Sequence, residues 1–194
     1  MNKANRTSIM SGILIGIGVI VNTSVNNRYI GAFLFSIALL VITNQSLQLF
    51  TGQIGYATEK RFNIPNYLLM LLGNIIGITL TSLNALCNTE LMEGIKRSSE
   101  LKFSKPLIPL LLCSIMCGIL MFIAVNCKNT LITVLAIMVF ILSGYEHCIA
   151  DVPCLIFGEL TLLNIIKYIL IVLGNSIGAI IAHILFKQKG AVRW

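Results

Sequence analysis

Six apolar runs of about 20 residues each dominate the sequence and limit what it can fold into. An α-helix needs about 20 apolar residues to cross the hydrocarbon core of a bilayer. The chain has 194 residues, a mean hydropathy of +0.91 and only 11% charged residues, which is too apolar for a soluble domain. We therefore predict an all-α polytopic protein of the lipid bilayer with six transmembrane helices, near residues 8–25, 29–47, 66–87, 106–127, 130–148 and 160–186.

The net charge of +7 would suggest nucleic acid as a partner of a soluble protein, but here the basic residues lie between the apolar runs and at the termini. Basic residues in such positions orient a membrane protein and attract anionic lipid, so we expect no nucleic-acid partner. A small bias of eight basic residues against six predicts that both termini are cytoplasmic. The eight are Lys3, Arg6, Lys60, Arg61, Lys128, Lys187, Lys189 and Arg193. The membrane is expected to be a bacterial cytoplasmic (inner) membrane.

Two of the apolar runs are interrupted in a similar way. TNQSLQLFTGQIG follows the second run at 43–55, and IADVPCLIFGE follows the fifth run at 149–159. Polar residues, glycine and proline end helices, and irregular backbone at membrane depth is tolerated only inside protein or beside a water-filled cavity. The second and fifth helices are therefore predicted to be broken, with both breaks beside a pathway.

The two halves of the chain also resemble each other. SIMSGILIGIGVIVN at 8–22 is similar to SIMCGILMFIAVN at 114–126, and LLGNIIG at 71–77 is similar to VLGNSIG at 172–178. Three spans in each half place the second half upside down relative to the first, which is an inverted-repeat architecture. We predict one transmembrane domain over 1–194, with repeats at about 8–87 and 106–186. The linker 88–105 is expected to be solvated, with an interfacial helix as the alternative.

Ionisable residues cluster at the end of the fifth run, where SGYEHCIAD occupies 143–151. Such residues inside a span usually face the protein interior or a water pathway. Helical spacing would place His147 and Asp151 one turn apart, Glu146 about 100° from His147, and Phe140 about 10 Å away along the axis. Both a transport pathway and hydrogen-bonded structural roles explain this pattern.

The cysteines give no sign of a metal or redox site. Six cysteines lie in or beside apolar runs without a CxxC pair, so we interpret them as free buried thiols. One histidine next to Cys148 does not complete a metal site, and His183 lies near the end of the last run, where an interfacial role is expected. We therefore predict neither a metal nor any other cofactor.

Several motifs resemble those of the formate/nitrite transporter family. GYEHCIAD at 144–151 resembles the family signature Gly-Phe-Glu-His-Ser-Ile-Ala-Asn, and LFT at 49–51 resembles the family's Leu-Phe-Thr at the break of its second helix. GNIIG at 73–77 and GNSIG at 174–178 are similar to its Gly-Asn-x-x-Gly helices. The resemblance covers all six runs and implies an aquaporin-like fold, assembled as a homopentamer in which each protomer has its own pore.

The resemblance also implies roles for particular residues. His147 takes the place of the central pore histidine, and Thr51 that of the threonine that hydrogen-bonds it, beside Leu49 and Phe50 of the same motif. Hydrophobic constrictions of the pathway fall at three positions, although core packing explains these residues equally well from the sequence alone. The three are Phe35, Leu39 and Phe140.

The sequence departs from the family pattern at positions that bear on selectivity. Gly118 stands where the family commonly has an asparagine in its fourth helix, and Asp151 replaces the asparagine of the signature. Asp151 and Glu146 are therefore candidates for electrostatic roles. Lys128, at the mouth of the fifth helix, is either an attractant for anions or an ordinary interfacial lysine.

We predict a channel or transporter for small monovalent anions of the formate, nitrite or hydrosulfide class, with proton coupling through His147 as one form of its mechanism. The protein is not expected to be an enzyme. One alternative is a membrane-embedded redox or metal enzyme that uses His147, Cys148 and Asp151. Another is a subunit of a membrane complex that transports nothing itself.

Overall fold

The computed structural model describes residues 3–60 and 62–186, and these residues form helices and connecting segments without any strand. Two short 3₁₀ segments, Ile54–Thr58 and Leu83–Cys87, accompany the α-helices. The α-helices are α1 (Lys3–Ser24), α2 (Arg28–Asn44), α3 (Phe50–Gln53), α4 (Ile64–Ser82), α5 (Thr89–Phe103), α6 (Leu107–Asn126), α7 (Thr130–Leu142), α8 (Val152–Phe157) and α9 (Leu162–Phe186).

Asparagine side chains define where four of the helices begin. Each accepts a hydrogen bond from a backbone N–H of the first turn, which would otherwise lack a partner within the helix. The capping residues are Asn27 of α2, Asn63 of α4, Asn88 of α5 and Asn129 of α7. The polar residues between the apolar runs therefore fix the starts of these helices.

Four helical segments in the described part of the chain are long and apolar enough to cross a membrane: Ala4–Ser24, Ile64–Cys87, Leu107–Asn126 and Leu162–Phe186. The two other apolar helices, α2 and α7, are shorter, with 17 and 13 residues. Each is followed by irregular backbone and then by a short helix, α3 or α8. The prediction of an all-helical membrane protein is confirmed at this level.

Close packing of α1 on α4 and of α6 on α9 depends on glycine. A Cβ atom at Gly12 would lie 2.1 Å from the carbonyl oxygen of Asn74, and one at Gly118 would lie 2.1 Å from that of Asn175. Helices in lipid associate through such small residues, which let two backbones touch. The same contact explains why no asparagine side chain stands at Gly118, because the neighbouring backbone occupies its space.

The helices α2 and α7 lie side by side and run in opposite directions. The guanidinium of Arg28, at the start of α2, donates hydrogen bonds to the carbonyl oxygens of Ile141 (3.2 Å) and Leu142 (2.6 Å) at the end of α7. The bonds satisfy carbonyl groups that a helix end leaves without partners. The irregular segments after α2 and α7 therefore start from opposite ends of this helix pair.

The connection between the third and fourth runs is a helix, and the expectation of a solvated linker is wrong. The helix α5 buries Leu91, Ile95, Ser99 and Phe103, which recur every four residues and so share one face. That face packs on α8 and α1. Because α5 is amphipathic rather than uniformly polar, it holds its last turn against the protein interior.

The membrane orientation stays a prediction. Of the basic residues on which it rests, Arg61, Lys187, Lys189 and Arg193 lie outside the described residues.

The cysteines are free thiols, as predicted. Two of them, Cys87 and Cys127, are exposed, although burial was expected for all six.

Candidate transport pathway

A buried asparagine holds the irregular segment that follows α2. The Oδ1 atom of Asn74 accepts a hydrogen bond from the backbone N–H of Phe50 (2.8 Å). Its Nδ2 atom donates to the carbonyl oxygens of Ser8 (2.7 Å) and Gln48 (2.9 Å). One side chain thus satisfies backbone groups of the irregular segment at Gln48 and Phe50, and ties the segment to α1.

A second asparagine does the same for the segment that follows α7. The Oδ1 atom of Asn175 accepts from the N–H of Cys148 (2.8 Å), and Nδ2 donates to the carbonyl oxygens of Ser114 (2.8 Å) and Glu146 (2.8 Å). Asn74 and Asn175 belong to the repeated LLGNIIG and VLGNSIG motifs. Sequence reasoning noted these motifs but did not assign the asparagines to the site, although the repeat itself was the signal.

The two segments meet at Thr51 and His147, both of which are buried. The hydroxyl of Thr51 lies 3.1 Å from Nε2 of His147. On the other side of the ring, Nδ1 accepts hydrogen bonds from the backbone N–H groups of Ile149 (3.2 Å) and Ala150 (3.1 Å). An acceptor nitrogen carries no proton, so the ring is neutral with its proton on Nε2, which donates to Thr51.

Aromatic side chains cover the histidine. The ring centroid of Phe140 lies 5.7 Å from that of His147, and the ring of Phe35 meets Phe140 edge to face at 6.1 Å. Leu39 is fully buried one turn along α2 from Phe35. The predicted distance of about 10 Å along one helix face is wrong for Phe140 and His147, because α7 ends at Leu142 and the chain turns back. Leu49 and Phe50 are buried in the segment that follows α2.

Two cavities approach this centre from opposite ends of the α2 and α7 pair. One, of about 490 Å³, is lined by residues that include Phe35, Phe140, Lys102 and Asp151, and we call it the α5 vestibule. The other, of about 560 Å³, is lined by residues that include Lys128, and we call it the Lys128 vestibule. Lys128 therefore lies at a mouth, where the sequence placed it.

A buried ionic cluster borders the α5 vestibule. Lys102 binds Glu146 (2.6 Å) and Asp151 (2.8 Å), and Lys105 binds Glu146 (2.5 Å) and the carbonyl oxygen of Gly144 (2.8 Å). Helical spacing predicted that Glu146 and Asp151 point apart. That prediction is wrong because this stretch is not a continuous helix, and both carboxylates reach the same ammonium group. Sequence reasoning missed both lysines, since it treated 88–105 as a linker.

Charge interactions hold Lys102 in its ammonium form. Burial alone disfavours that form, but the carboxylates of Asp151 and Glu146 outweigh it and raise the pKa of Lys102 above its ordinary value. The cluster therefore keeps a fixed positive charge at the edge of the vestibule, contributed by α5.

The described residues offer no set of ligands for the metal-enzyme hypothesis. Within 3–60 and 62–186, no group of three or more histidine, cysteine and acidic side chains is placed to hold a metal ion. His183 pairs with Glu59 (3.0 Å) and packs on Tyr56. It is mostly buried, in contrast to the interfacial role expected for it.

These features define a membrane transport protein: apolar helices enclose two facing segments, and vestibules from opposite ends approach a buried polar contact under aromatic rings. The sequence matches the formate/nitrite transporter family over residues 2–187, and the chain belongs to that family. It is thus an anion transporter and not an enzyme, as the sequence predicted.

Solved structures share the fold. The chain is similar to one described as "Pentameric formate channel with formate bound", at 20% identity and a TM-score of 0.75, over 95% of this chain and 94% of the other. It is also similar to an "FNT family ion channel", at 21% identity and a TM-score of 0.73, over 94% of this chain and 87% of the other. A comparison with curated proteins finds no match.

Proposed function

We propose that the protein moves small monovalent anions of the formate, nitrite or hydrosulfide class between the two vestibules, past the contact between Thr51 and His147. That contact carries the proposal, because it places one polar, proton-bearing ring between two cavities in an otherwise apolar centre. Phe35, Leu39 and Phe140 would form the hydrophobic constriction, and Leu49 and Phe50 would line the segment opposite His147.

The proposed architecture has six spans in one domain. In it, α2 with α3 and α7 with α8 are the broken second and fifth spans of two inverted repeats, about 8–87 and 106–186, joined through α5. The matching contacts of Asn74 and Asn175 support this arrangement, since each holds the equivalent segment of its own half. An aquaporin-like arrangement with cytoplasmic termini completes the proposal.

We also propose a homopentamer with one pathway in each protomer. One of the similar solved structures is described as pentameric, and the proposal extends that assembly to this chain. Apolar side chains on the outer faces of α2 and α7 support it. Phe33, Ile37, Leu131 and Leu135 are all at least half exposed in the isolated chain and would contact lipid or neighbouring protomers.

The constriction selects against charge. A bare anion loses its hydration there at a cost of many kcal/mol, whereas the neutral acid loses far less. His147 helps the anion in its neutral form, because the proton on Nε2 is available for a hydrogen bond when a substrate replaces Thr51 as acceptor. Basic residues of the vestibules, including Lys128, would raise the local concentration of anions.

Uptake by liposomes that contain the purified protein tests the proposal. We expect formate uptake to rise as the pH falls, since more substrate is then protonated. We expect His147→Asn to lower it about tenfold or more, because the shorter amide of asparagine does not reach the position of Nε2 and the donor at that position is lost. Nitrite and hydrosulfide measured beside formate would rank the substrates.

The matched control is His183→Asn, the same substitution at the histidine that pairs with Glu59, which should keep parental uptake. If His147→Asn transports formate with the rate and pH profile of the parent, the role of His147 is excluded. If the wild type transports none of the three anions, the result favours the alternative hypothesis of a subunit without transport activity.

A further inference from the structure

The ionic cluster beside the α5 vestibule contains one atom that its neighbours leave without a partner. Asp151 is 1% exposed, and its Oδ1 atom binds Lys102 at 2.8 Å. Its Oδ2 atom is buried without a hydrogen-bond partner among the described residues, where it is the one such side-chain atom. Asp151 also lines the cavity. A buried carboxylate oxygen with no donor is costly, and a proton bound there removes the cost.

The neighbouring carboxyl group favours the same site for a proton. Glu146 and Asp151 both bind the ammonium group of Lys102, and two carboxyl groups this close favour sharing one proton over carrying two negative charges. Ammonium groups bind both oxygens of Glu146, Lys102 at Oε2 and Lys105 at Oε1. The proton is therefore expected on Asp151, where Oδ2 has no other hydrogen-bond partner among the described residues.

Other titratable groups around Asp151 do not offer a competing site. The ring nitrogens of His147 are engaged by Thr51 and by backbone N–H groups. Arg28, which also lines the vestibule, binds the carbonyl oxygens at the end of α7. The thiols of Cys117, Cys148 and Cys154 and the phenol of Tyr168 also lie near Asp151, and these groups are neutral acids at physiological pH.

Counting charges shows what this proton would change. With both carboxylates ionised, Glu146 and Asp151 balance Lys102 and Lys105, and the cluster is neutral. With one proton bound, the cluster carries one net positive charge beside the vestibule. An asparagine at this position, as in the family signature that the sequence resembles, would leave the cluster positive at every pH.

We propose that Asp151 is a proton-binding switch of the α5 vestibule, which turns a neutral cluster into a positive one and so makes anion entry depend on the proton concentration of that vestibule. The proton comes from vestibule water and remains in the pair made by Asp151 and Glu146. This inference rests on the proposed anion transport. It adds a second source of pH dependence, separate from protonation of the substrate.

The test is Asp151→Asn, which resembles the protonated carboxyl group in shape. Formate uptake by liposomes is measured from pH 5.5 to pH 8 for variant and wild type, and the ratio is taken at each pH. Protonation of formate itself is common to both proteins and cancels. At pH 8 we expect the variant to be faster by about threefold, the factor that one charge gives an anion about 7 Å away in a water-like medium. The ratio should approach one at pH 5.5.

Glu100→Gln is the matched control, because it removes one negative charge from an exposed position of α5. Its uptake ratio should stay near one throughout the range. A ratio for Asp151→Asn that does not change with pH, or that is one at every pH, overturns the proposal while leaving anion transport intact. Absence of uptake by the wild type would instead contradict the proposed function.

Infrared difference spectra of the wild type test protonation of Asp151 directly. They apply even if Asp151→Asn does not assemble or if no uptake is seen. Ordinary carboxyl groups, with pKa values of about 4, stay ionised at pH 6. A carbonyl band of a protonated carboxylic acid that grows between pH 8 and pH 6 supports the switch. No such band, or one that is equally strong at both pH values, overturns it.

Discussion

The segment after α2 and the segment after α7 have the same backbone support but different chemistry. In each, one buried asparagine accepts from one N–H and donates to two carbonyl groups. Between the bonded groups, the first segment carries Leu49 and the second carries His147. The comparison teaches that the same backbone support does not require the same chemistry, because each asparagine binds backbone groups and the side chain between those groups is free to differ.

Replacing Asn74 and Asn175 separates the support of the backbone from the role of the side chains that it positions. These substitutions should have the largest effect on stability and formate uptake. Both Asn74→Ala and Asn175→Ala leave several buried backbone groups unpaired, so each should lower the free energy of unfolding by about 2 to 4 kcal/mol. Asn175→Ala should also abolish formate uptake, because it releases the segment that positions His147. Thermal unfolding in detergent and uptake by liposomes measure the two quantities.

Equal losses of stability with a larger loss of uptake for Asn175→Ala would sharpen the comparison. If only one of the two substitutions destabilises the protein, the two segments do not have equivalent support and the comparison fails.

Thr51→Val should have an intermediate effect. The substitution keeps the branched shape but removes the hydroxyl that accepts from Nε2 of His147, so the ring loses the side-chain partner that orients Nε2 when no substrate is bound. We expect formate uptake to fall several-fold and its pH profile to keep its shape. Uptake by liposomes across the pH range provides the measurement.

In Thr51→Val, the segment after α2 contributes no polar group to the contact with His147. Thr51→Ser, which keeps the hydroxyl, is the matched control and should retain most of the uptake. If Thr51→Val matches the parent, the hydroxyl of Thr51 is not part of the pathway.

Removal of the positive charge of Lys128 from the Lys128 vestibule should have the smallest effect. Lys128 has a left-handed backbone, with φ of 49°, and asparagine adopts that conformation more readily than most residues. Lys128→Asn therefore removes the charge with little strain. We expect about a twofold decrease in formate uptake at low ionic strength that disappears at high salt, where the field is screened.

Uptake by parent and Lys128→Asn at two salt concentrations checks the prediction. An effect that is the same at both concentrations would point to a local structural change and not to attraction of anions. An effect of Lys128→Asn on uptake that depends on salt but not on pH would distinguish the Lys128 vestibule from the α5 vestibule, where the proposed switch responds to pH.

Part of the fold could be predicted because it depends on local properties. Long apolar runs identified the four helical segments that are long enough to cross a membrane, and polar residues between the runs marked the ends of helices. The pairing of Thr51 with His147, which only the resemblance implied, is present in the structure. The geometry around His147 was predicted incorrectly, because helical spacing was applied past Leu142, where the backbone no longer follows a helix.

The sequence by itself determined the class of protein, since hydropathy and motif order depend on composition and spacing alone. Only the tertiary structure brought Lys102 and Lys105 to Glu146 and Asp151, across more than 40 residues of chain. It also decided that His147 is a neutral donor, because the partners of both ring nitrogens are set by an irregular backbone. Contacts between distant segments follow from how helices pack, and no local pattern records them.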